Sequence, residues 1–284
     1  MSDAVTTLQR PLRARRAALR LDVRRQLAPA AGWIVPALLV AVWQGCASLG
    51  WLPDSLLPSP FAVLAAGWRL ARSGDLPRNV EVSFLRALAG LVAGGAIGFG
   101  FGLANGLSRA SDHLTDTTLQ MARNIPHLAL IPLVIVWFGI DEAAKLFLVA
   151  LGVFFPIYAN TVHGVRSIDP HLIEMAQSYG MQRLELFRRV ILPGALPSIF
   201  VGLRYALGIM WLTLIVAETI AAQSGVGYMA MQAREFLQLD VVVLAIAIYA
   251  LLGKLADVVV RGAPEFGRLE EIILDRLLGG ARRS

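Results

Sequence analysis

With one cysteine, Cys46, the 284-residue chain has no partner for an internal disulfide, so no covalent staple is available to the fold. Charge is also scarce, at 16% of residues against 56% hydrophobic, with a mean hydropathy of +0.62. Soluble globular domains carry roughly a quarter charged residues, which excludes that class. The four histidines, His113, His127, His163 and His171, lack the spacing of a metal site. Gly253-Lys254 is followed by Leu255, and Ile248 stands where a phosphate-binding loop needs its first glycine, so no nucleotide site is expected. There is no G-x-S-x-G nucleophile turn and no convergent catalytic set. Low-complexity tracts and fixed-period repeats are missing as well, which points to one membrane domain.

The apolar residues that are present lie in runs long enough to cross the roughly 30 Å hydrocarbon core as helices. Their limits predict an all-α membrane protein with about six transmembrane helices, at 30–49, 82–107, 118–138, 143–163, 194–222 and 241–262. Pro126 and Pro132 interrupt the third. Arg10, Arg13, Arg15, Arg16, Arg20, Arg24 and Arg25 crowd the N-terminal side of the first span. By the positive-inside rule that end is expected in the cytoplasm, and six crossings return the C-terminus to the same side. Three regions result: an Arg-rich cytoplasmic segment 1–29, a membrane domain 30–262 and a cytoplasmic tail 263–284. Gly45-Cys46 faintly matches a lipoprotein cleavage site, but Trp43 and Gln44 do not suit one, so the first span reads as a retained anchor. Arg69, Arg72 and Arg78 fall in the first outward loop, where an amphipathic segment opened by Ser59-Pro60 carries Phe61, Leu64, Trp68 and Leu70 along the outer interface. The net charge of +6 is a topology signal, since the basic residues flank spans rather than line one nucleic-acid-binding face.

Within the spans, Gly90, Gly94, Gly98, Gly102 and Gly106 recur every fourth residue and share one helix face. That stripe serves close packing inside the chain, or faces a partner subunit or a moving helix. Charges in hydrocarbon are costly and mark function or pairing. Arg204 lies near mid-depth of the fifth span and Glu218 toward its outer end, while Lys254 and Asp257 form an i,i+3 pair in the sixth. Arg123, Asn124 and Pro126 sit at the interruption of the third, where backbone groups are freed only beside a cavity or buried protein. Arg123, Asn124, Pro126, Arg204 and Glu218 are therefore the candidate translocation path, with interhelical bonding, to Glu218 among others, as the plainer account of the arginines.

Between the fourth and fifth spans lies a polar insert, 169–193, expected on the cytoplasmic side with Arg166, Arg183, Arg188 and Arg189. Asp169 and Pro170 read as an N-cap and first-turn residue, and Gly180 as a left-handed turn. A second short helix carrying Leu184, Phe187, Arg188 and Val190 is expected to stop at Pro193. A transporter without a nucleotide site couples to a gradient or to a separate ATPase, and this exposed knob favours the ATPase.

The insert resembles the coupling motif of permease subunits in bacterial binding-protein-dependent ABC importers, E-A-A-x3-G-x9-I-x-L-P. Glu174, Ala176, Gly180, Leu192 and Pro193 match, whereas Met175 and Val190 replace an alanine and the isoleucine. Arg123 to Leu133, Trp137 to Glu142, Leu192 to Ser198, Trp211 to Thr219 and Ala233 to Leu237 are similar to the aliphatic-sulfonate branch, and the likeness spans about residues 30–260. It implies a type I importer fold of the MetI-like kind and no catalysis in this chain. It further implies two copies of an ATP-binding subunit that hold the ATP and Mg, a periplasmic solute-binding protein, and a second copy of the permease in the inner membrane. Glu174 would then be the polar contact of the knob, Ala176 would keep the docked face close, Gly180 would make the bend and Pro193 would fix the junction to the fifth span. Aliphatic sulfonates are the implied cargo; taurine, nitrate and pyrimidine-precursor permeases have similar sequences. A gradient-driven carrier stays open as a distant alternative, with Glu218 and Asp257 as thin support.

Overall fold

The computed structural model describes residues 34–261, all of whose regular elements are helical. The expected segment 1–29, the tail 263–284 and the Asp257 side chain lie outside the described residues. The chain divides into two compact units, with the boundary between Ala66 and Gly67.

The first unit contains α1 (Ile34–Ser48) and the start of α2 (Pro60–Ser73). Helix α1 is apolar but short: its 15 described residues rise about 22 Å. Gln44 links its end to α2, accepting a hydrogen bond from the Phe61 N–H through Oε1 at 3.2 Å. In α2, Phe61, Leu64 and Trp68 are exposed while Val63 and Ala66 are buried, the sidedness expected of the amphipathic segment.

The second unit is built on three long helices, α3 (Asp75–Leu107), α6 (Glu142–Arg166) and α9 (Leu192–Ala221). Between α3 and α6 lie α4 (Arg109–Arg123), a 3-10 turn at His127–Leu130, and α5 (Ile131–Phe138). Between α6 and α9 come α7 (Pro170–Ser178), α8 (Arg183–Leu186) and a π-helical turn at Phe187–Ile191. Helices α10 (Val226–Glu235) and α11 (Leu239–Arg261) complete the unit. Among the described residues, three helices are long and apolar enough to cross a membrane, or four if the bent pair α4–α5 is one span.

Helix α6 is held between α3 and α9 by backbone approach. The glycine stripe of α3 faces α6: a Cβ added at Gly98 would sit 2.6 Å from the Phe154 carbonyl oxygen, and one at Gly102 would sit 2.6 Å from the Thr161 Cβ. Gly90 and Gly94 meet Val149 and Ala150 in the same way, and Gly106 meets Val165. On the other flank of α6, a Cβ at Gly164 would lie 2.8 Å from the Ala195 oxygen, and one at Gly202 of α9 would lie 2.9 Å from the Pro156 oxygen. In lipid the hydrophobic effect does not drive helices together, so dense dispersion contact of this kind is what holds them. The stripe is thus occupied by α6 and is not free for a partner subunit.

Three expectations change. The third span is not one helix: α4 and the segment His127–Phe138 meet at 81°. Pro126, without an N–H, ends the first helical run, whereas Pro132 breaks nothing, because it lies in the first turn of α5, where an N–H would have no intrahelical partner to lose. Helix α3 begins at Asp75 behind a left-handed Gly74, so Arg78 belongs to a span helix and not to a loop. Pro193 stops nothing either: helix runs on through the π turn into α9, where Pro193 occupies the first turn. The Leu192 N–H donates to the Phe187 carbonyl five residues back, and that widened turn makes room for a ring that cannot donate.

Candidate functional site

The insert folds as the sequence dictates locally. Asp169 Oδ1 accepts from the His171 N–H at 2.9 Å, and Pro170 fills the first helical position of α7. At the other end Gly180 has φ +80°. Its N–H donates to the Gln177 carbonyl at 2.9 Å and that of Met181 to Ala176 at 3.2 Å, the paired bonds of a Schellman ending. The turn aims α8 away from α7, giving two short helices joined at a glycine corner.

The inner face of this knob is a small apolar core. Ala176, Leu186, Val190 and Ile191 cluster with Val165 of α6 and Ala195 of α9, and Leu172, Ile173, Met181 and Phe187 pack around them. Ala176 is only 4% exposed, so it seats the knob on its own bundle and does not present a docked face. A larger side chain there would lift α7 off α6 and α9. The outer face carries Glu174, Met175, Tyr179 and Leu184, all exposed. The only ion-pair partner of Glu174 among the described residues is His171, 3.9 Å away on the same helix face. Leu192 and Pro193 are half-buried at the root, where α9 begins. Arg183, Arg188 and Arg189 are exposed on the same insert, so the outer surface of the knob is mixed in charge with large apolar side chains among it.

A polar cluster occupies the opposite end of the bundle. Arg86 of α3, 5% exposed, donates through Nη2 to Glu142 of α6 at 2.6 Å and through Nη1 to Glu218 of α9 at 2.8 Å. It also donates to the Ser224 carbonyl at 2.6 Å and to its hydroxyl at 2.9 Å. Lys145 Nζ adds a second cation 3.0 Å from Glu142. Glu218, 1% exposed, further accepts from the Ser83 hydroxyl, from Tyr249 of α11 at 2.8 Å and from the Gly227 N–H at 2.9 Å. The Val226 N–H donates to Ser83 Oγ and the Gly225 N–H to Asn79 Oδ1, both at 2.8 Å. The first amides of α10, orphaned at any helix start, are thereby satisfied by α3 and α9. Two cations meet two carboxylates, so the cluster is neutral and nearly closed, and Glu142 alone opens on solvent.

Glu218 is therefore not paired with Arg204 or Arg123. Arg204 lies fourteen residues back on the same helix, about 21 Å along the axis. It is exposed and borders a groove with Tyr205, Leu207, Gly208, Ile209 and Gly253. Arg123, Asn124 and Pro126 are exposed at the 81° break. Beyond the break, His127 Nε2 lies 2.9 Å from Thr213 Oγ1 of α9. The structure thus separates the five path candidates into a break, a groove and a nearly closed cluster. Sequence reasoning passed over Arg86 and Lys145, although a charge inside an expected span is the signal that flags such residues.

The sequence profile described as "Binding-protein-dependent transport system inner membrane component" matches residues 96–262. Over 236 residues, 83% of this chain and 90% of the relative, there is 62% identity to the "Putative aliphatic sulfonates transport permease protein SsuC" of Escherichia coli. The protein of the same description from Bacillus subtilis is 43% identical across 81% of this chain and 83% of its own length. The "Taurine transport system permease protein TauC" of Escherichia coli is 37% identical over 88% of this chain and 92% of that protein.

Proposed function

The chain belongs to the family of inner-membrane components of binding-protein-dependent transport systems, and we propose that it carries aliphatic sulfonates inward across that membrane. It is a multi-pass permease subunit of an ABC importer and has no enzymatic role, since ATP hydrolysis resides in a separate subunit of such systems. The observation that carries the proposal is the knob. Its inner face is fixed to α6 and α9, and its outer face offers Glu174, Met175, Tyr179 and Leu184 to a partner. Two ATP-binding subunits, each holding ATP and Mg, would each take one knob of a permease homodimer. A solute-binding protein would deliver cargo at the end where Arg86 and Glu218 lie. By the positive-inside rule, six crossings would leave both termini in the cytoplasm.

The cargo assignment rests on the sulfonate permeases of two distant bacteria, at 62% and 43% identity, ranking above the taurine permease at 37%. Taurine is itself an aminoalkane sulfonate, so the two cargoes share the anionic head that has to be moved. The exposed Arg123 at the break and Arg204 in the groove supply candidate cations for it, as charge-assisted donors to a sulfonate oxygen.

The test is uptake of labelled ethanesulfonate, taurine and nitrate into proteoliposomes holding the permease, its ATP-binding subunit and its solute-binding protein, with all ion gradients collapsed. Ethanesulfonate uptake that requires ATP is the expected result. Uptake without the ATP-binding subunit, or only with a gradient, overturns the importer reading. ATP-driven uptake of nitrate but not of either sulfonate overturns the cargo. Glu174→Lys and Gly180→Pro should abolish co-purification of the ATP-binding subunit while insertion in the membrane persists.

A further inference from the structure

We propose that Asp112 and Arg166 tie the bent helix pair α4–α5 to the knob, so that movement of the knob is carried to the break at Asn124–Pro126. The inference rests on the reading of the knob as the point where the ATP-binding subunit docks. It concerns two positioning residues that belong neither to the coupling motif nor to the path candidates.

Helix α4 has no buried residue, so no apolar core fixes its place. Leu114 and Met121 are both exposed. Polar ties hold it instead. Arg166, the last residue of α6, pairs with Asp112 Oδ2 of α4 at 2.6 Å, and its Nη2 donates to the Asn105 carbonyl of α3 at 3.0 Å. The buried Asn105 side chain accepts from Ser111 Oγ at 2.6 Å and donates to Thr115 Oγ1 at 2.7 Å and to the Tyr158 hydroxyl at 2.9 Å. Every one of these α4 contacts falls in its first two turns. The other carboxylate oxygen, Asp112 Oδ1, is buried without a hydrogen-bond partner, so Arg166 is the side chain that ties the Asp112 carboxylate to α6.

Arg166 is also the residue from which the knob departs: Ser167 closes α6 and Asp169 caps α7 three positions later. Displacing the knob displaces Arg166, and through Asp112 the near end of α4. A helix of 15 residues is a rigid rod of about 22 Å, and its far end is the break. There the chain turns 81° and His127 meets Thr213. The rod thus joins the side that receives force to the place where exposed Arg123, Asn124 and Pro126 stand beside α9. Couplings of this kind are typically worth five- to about hundredfold in the linked property.

The experiment measures ethanesulfonate moved per ATP hydrolysed in the reconstituted full complex. The variants are Asp112→Asn, Arg166→Gln, Arg166→Lys and the double variant Asp112→Asn with Arg166→Gln. Arg166→Gln alone leaves the half-buried Asp112 carboxylate without its cation; the double variant removes that charge as well and separates loss of the tie from loss of charge balance. ATP hydrolysis and co-purification of the ATP-binding subunit should persist in Asp112→Asn and in the double variant, while transport per ATP falls about tenfold. Arg166→Lys, which keeps the charge, should retain most of the coupling. A second readout is thiol labelling of Ile125→Cys in a Cys46→Ser background, whose rate should change on nucleotide trapping in the parent but not with Asp112→Asn. Unchanged transport per ATP in Asp112→Asn overturns the tether, as does an unresponsive Ile125→Cys in the parent. Failure of the parent itself to bind the ATP-binding subunit overturns the docking reading instead.

Discussion

The two ends of the bundle spend their polar residues in opposite ways. Around Arg86 and Glu218 every charge is matched and all but Glu142 are turned inward, and the hydrogen bonds cross from α3 to α6, α9, α10 and α11. On the knob the polar groups of α7 and α8 face out together with Met175, Tyr179 and Leu184, while an apolar set around Ala176, Leu186 and Ile191 turns in. The difference follows from what each region has to do. A neutral, closed cluster resists rearrangement, because removing one ion leaves another buried without compensation. An outward face leaves its bonding capacity for a second molecule. Stability and function are therefore expected to separate along the length of the molecule, with substitutions at one end unfolding it and substitutions at the other disconnecting it.

The strongest way to break that contrast is Arg86→Ala. It strands Glu218 beside Ser83 and Tyr249 with no cation and is expected to cost about 3–5 kcal/mol, read as the shift in thermal unfolding of the detergent-solubilised protein. A loss below about 1 kcal/mol would mean that water reaches the cluster and that it is not closed. Glu218→Gln is milder, since Arg86 keeps Glu142. Next comes the seam joining the two ends. Gly98→Val sets branched carbons against the Phe154 carbonyl, and forced overpacking of this kind costs about 1–3 kcal/mol. Gly100→Val on the same helix, where nothing lies within 4 Å of the added carbon, is the control and should be tolerated far better.

What could be read from the sequence was local. Asp169, Pro170 and Gly180 act on amides and carbonyls within a turn of themselves, so their residue types announce the caps. The four-residue glycine period likewise announced one flat helix face, though not which helix would lie on it. Pro193 misled because the rule that proline ends a helix takes no account of a π turn just before it, which absorbs the ring. The partner of Glu218 was out of reach because Arg86 is 132 residues away and is brought close only once α3 and α9 are both packed on α6. The Asp112–Arg166 pair was out of reach for a related reason: Arg166 was read only as a charge marking the cytoplasmic side, and Asp112 fell just before the expected third span, with nothing local to bring the two together.

At the knob, Asp169→Ala removes the acceptor for the His171 N–H and should cost about 1 kcal/mol, seen as faster hydrogen exchange of the first α7 amides with the rest of the protein unchanged.

The smallest change in stability is expected for Tyr179→Ser. Tyr179 is 77% exposed at the corner between α7 and α8, and its backbone N–H bond to the Met175 carbonyl does not depend on the side chain. Surface substitutions of this kind lie within about 0.5 kcal/mol of the parent. Binding of the ATP-binding subunit should nevertheless weaken by about tenfold or more, because large exposed aromatic anchors contribute most to interfaces. Arg189→Gln, on the same segment, loses only an exposed i,i+4 pair with Glu185 and serves as the comparison. If Tyr179→Ser and Arg189→Gln weaken binding equally, the knob acts through charge and not through its apolar corner. If Tyr179→Ser alone does so while the melting temperature holds, the same residue type that is locked at Tyr249 by a buried carboxylate is at Tyr179 held free for a partner.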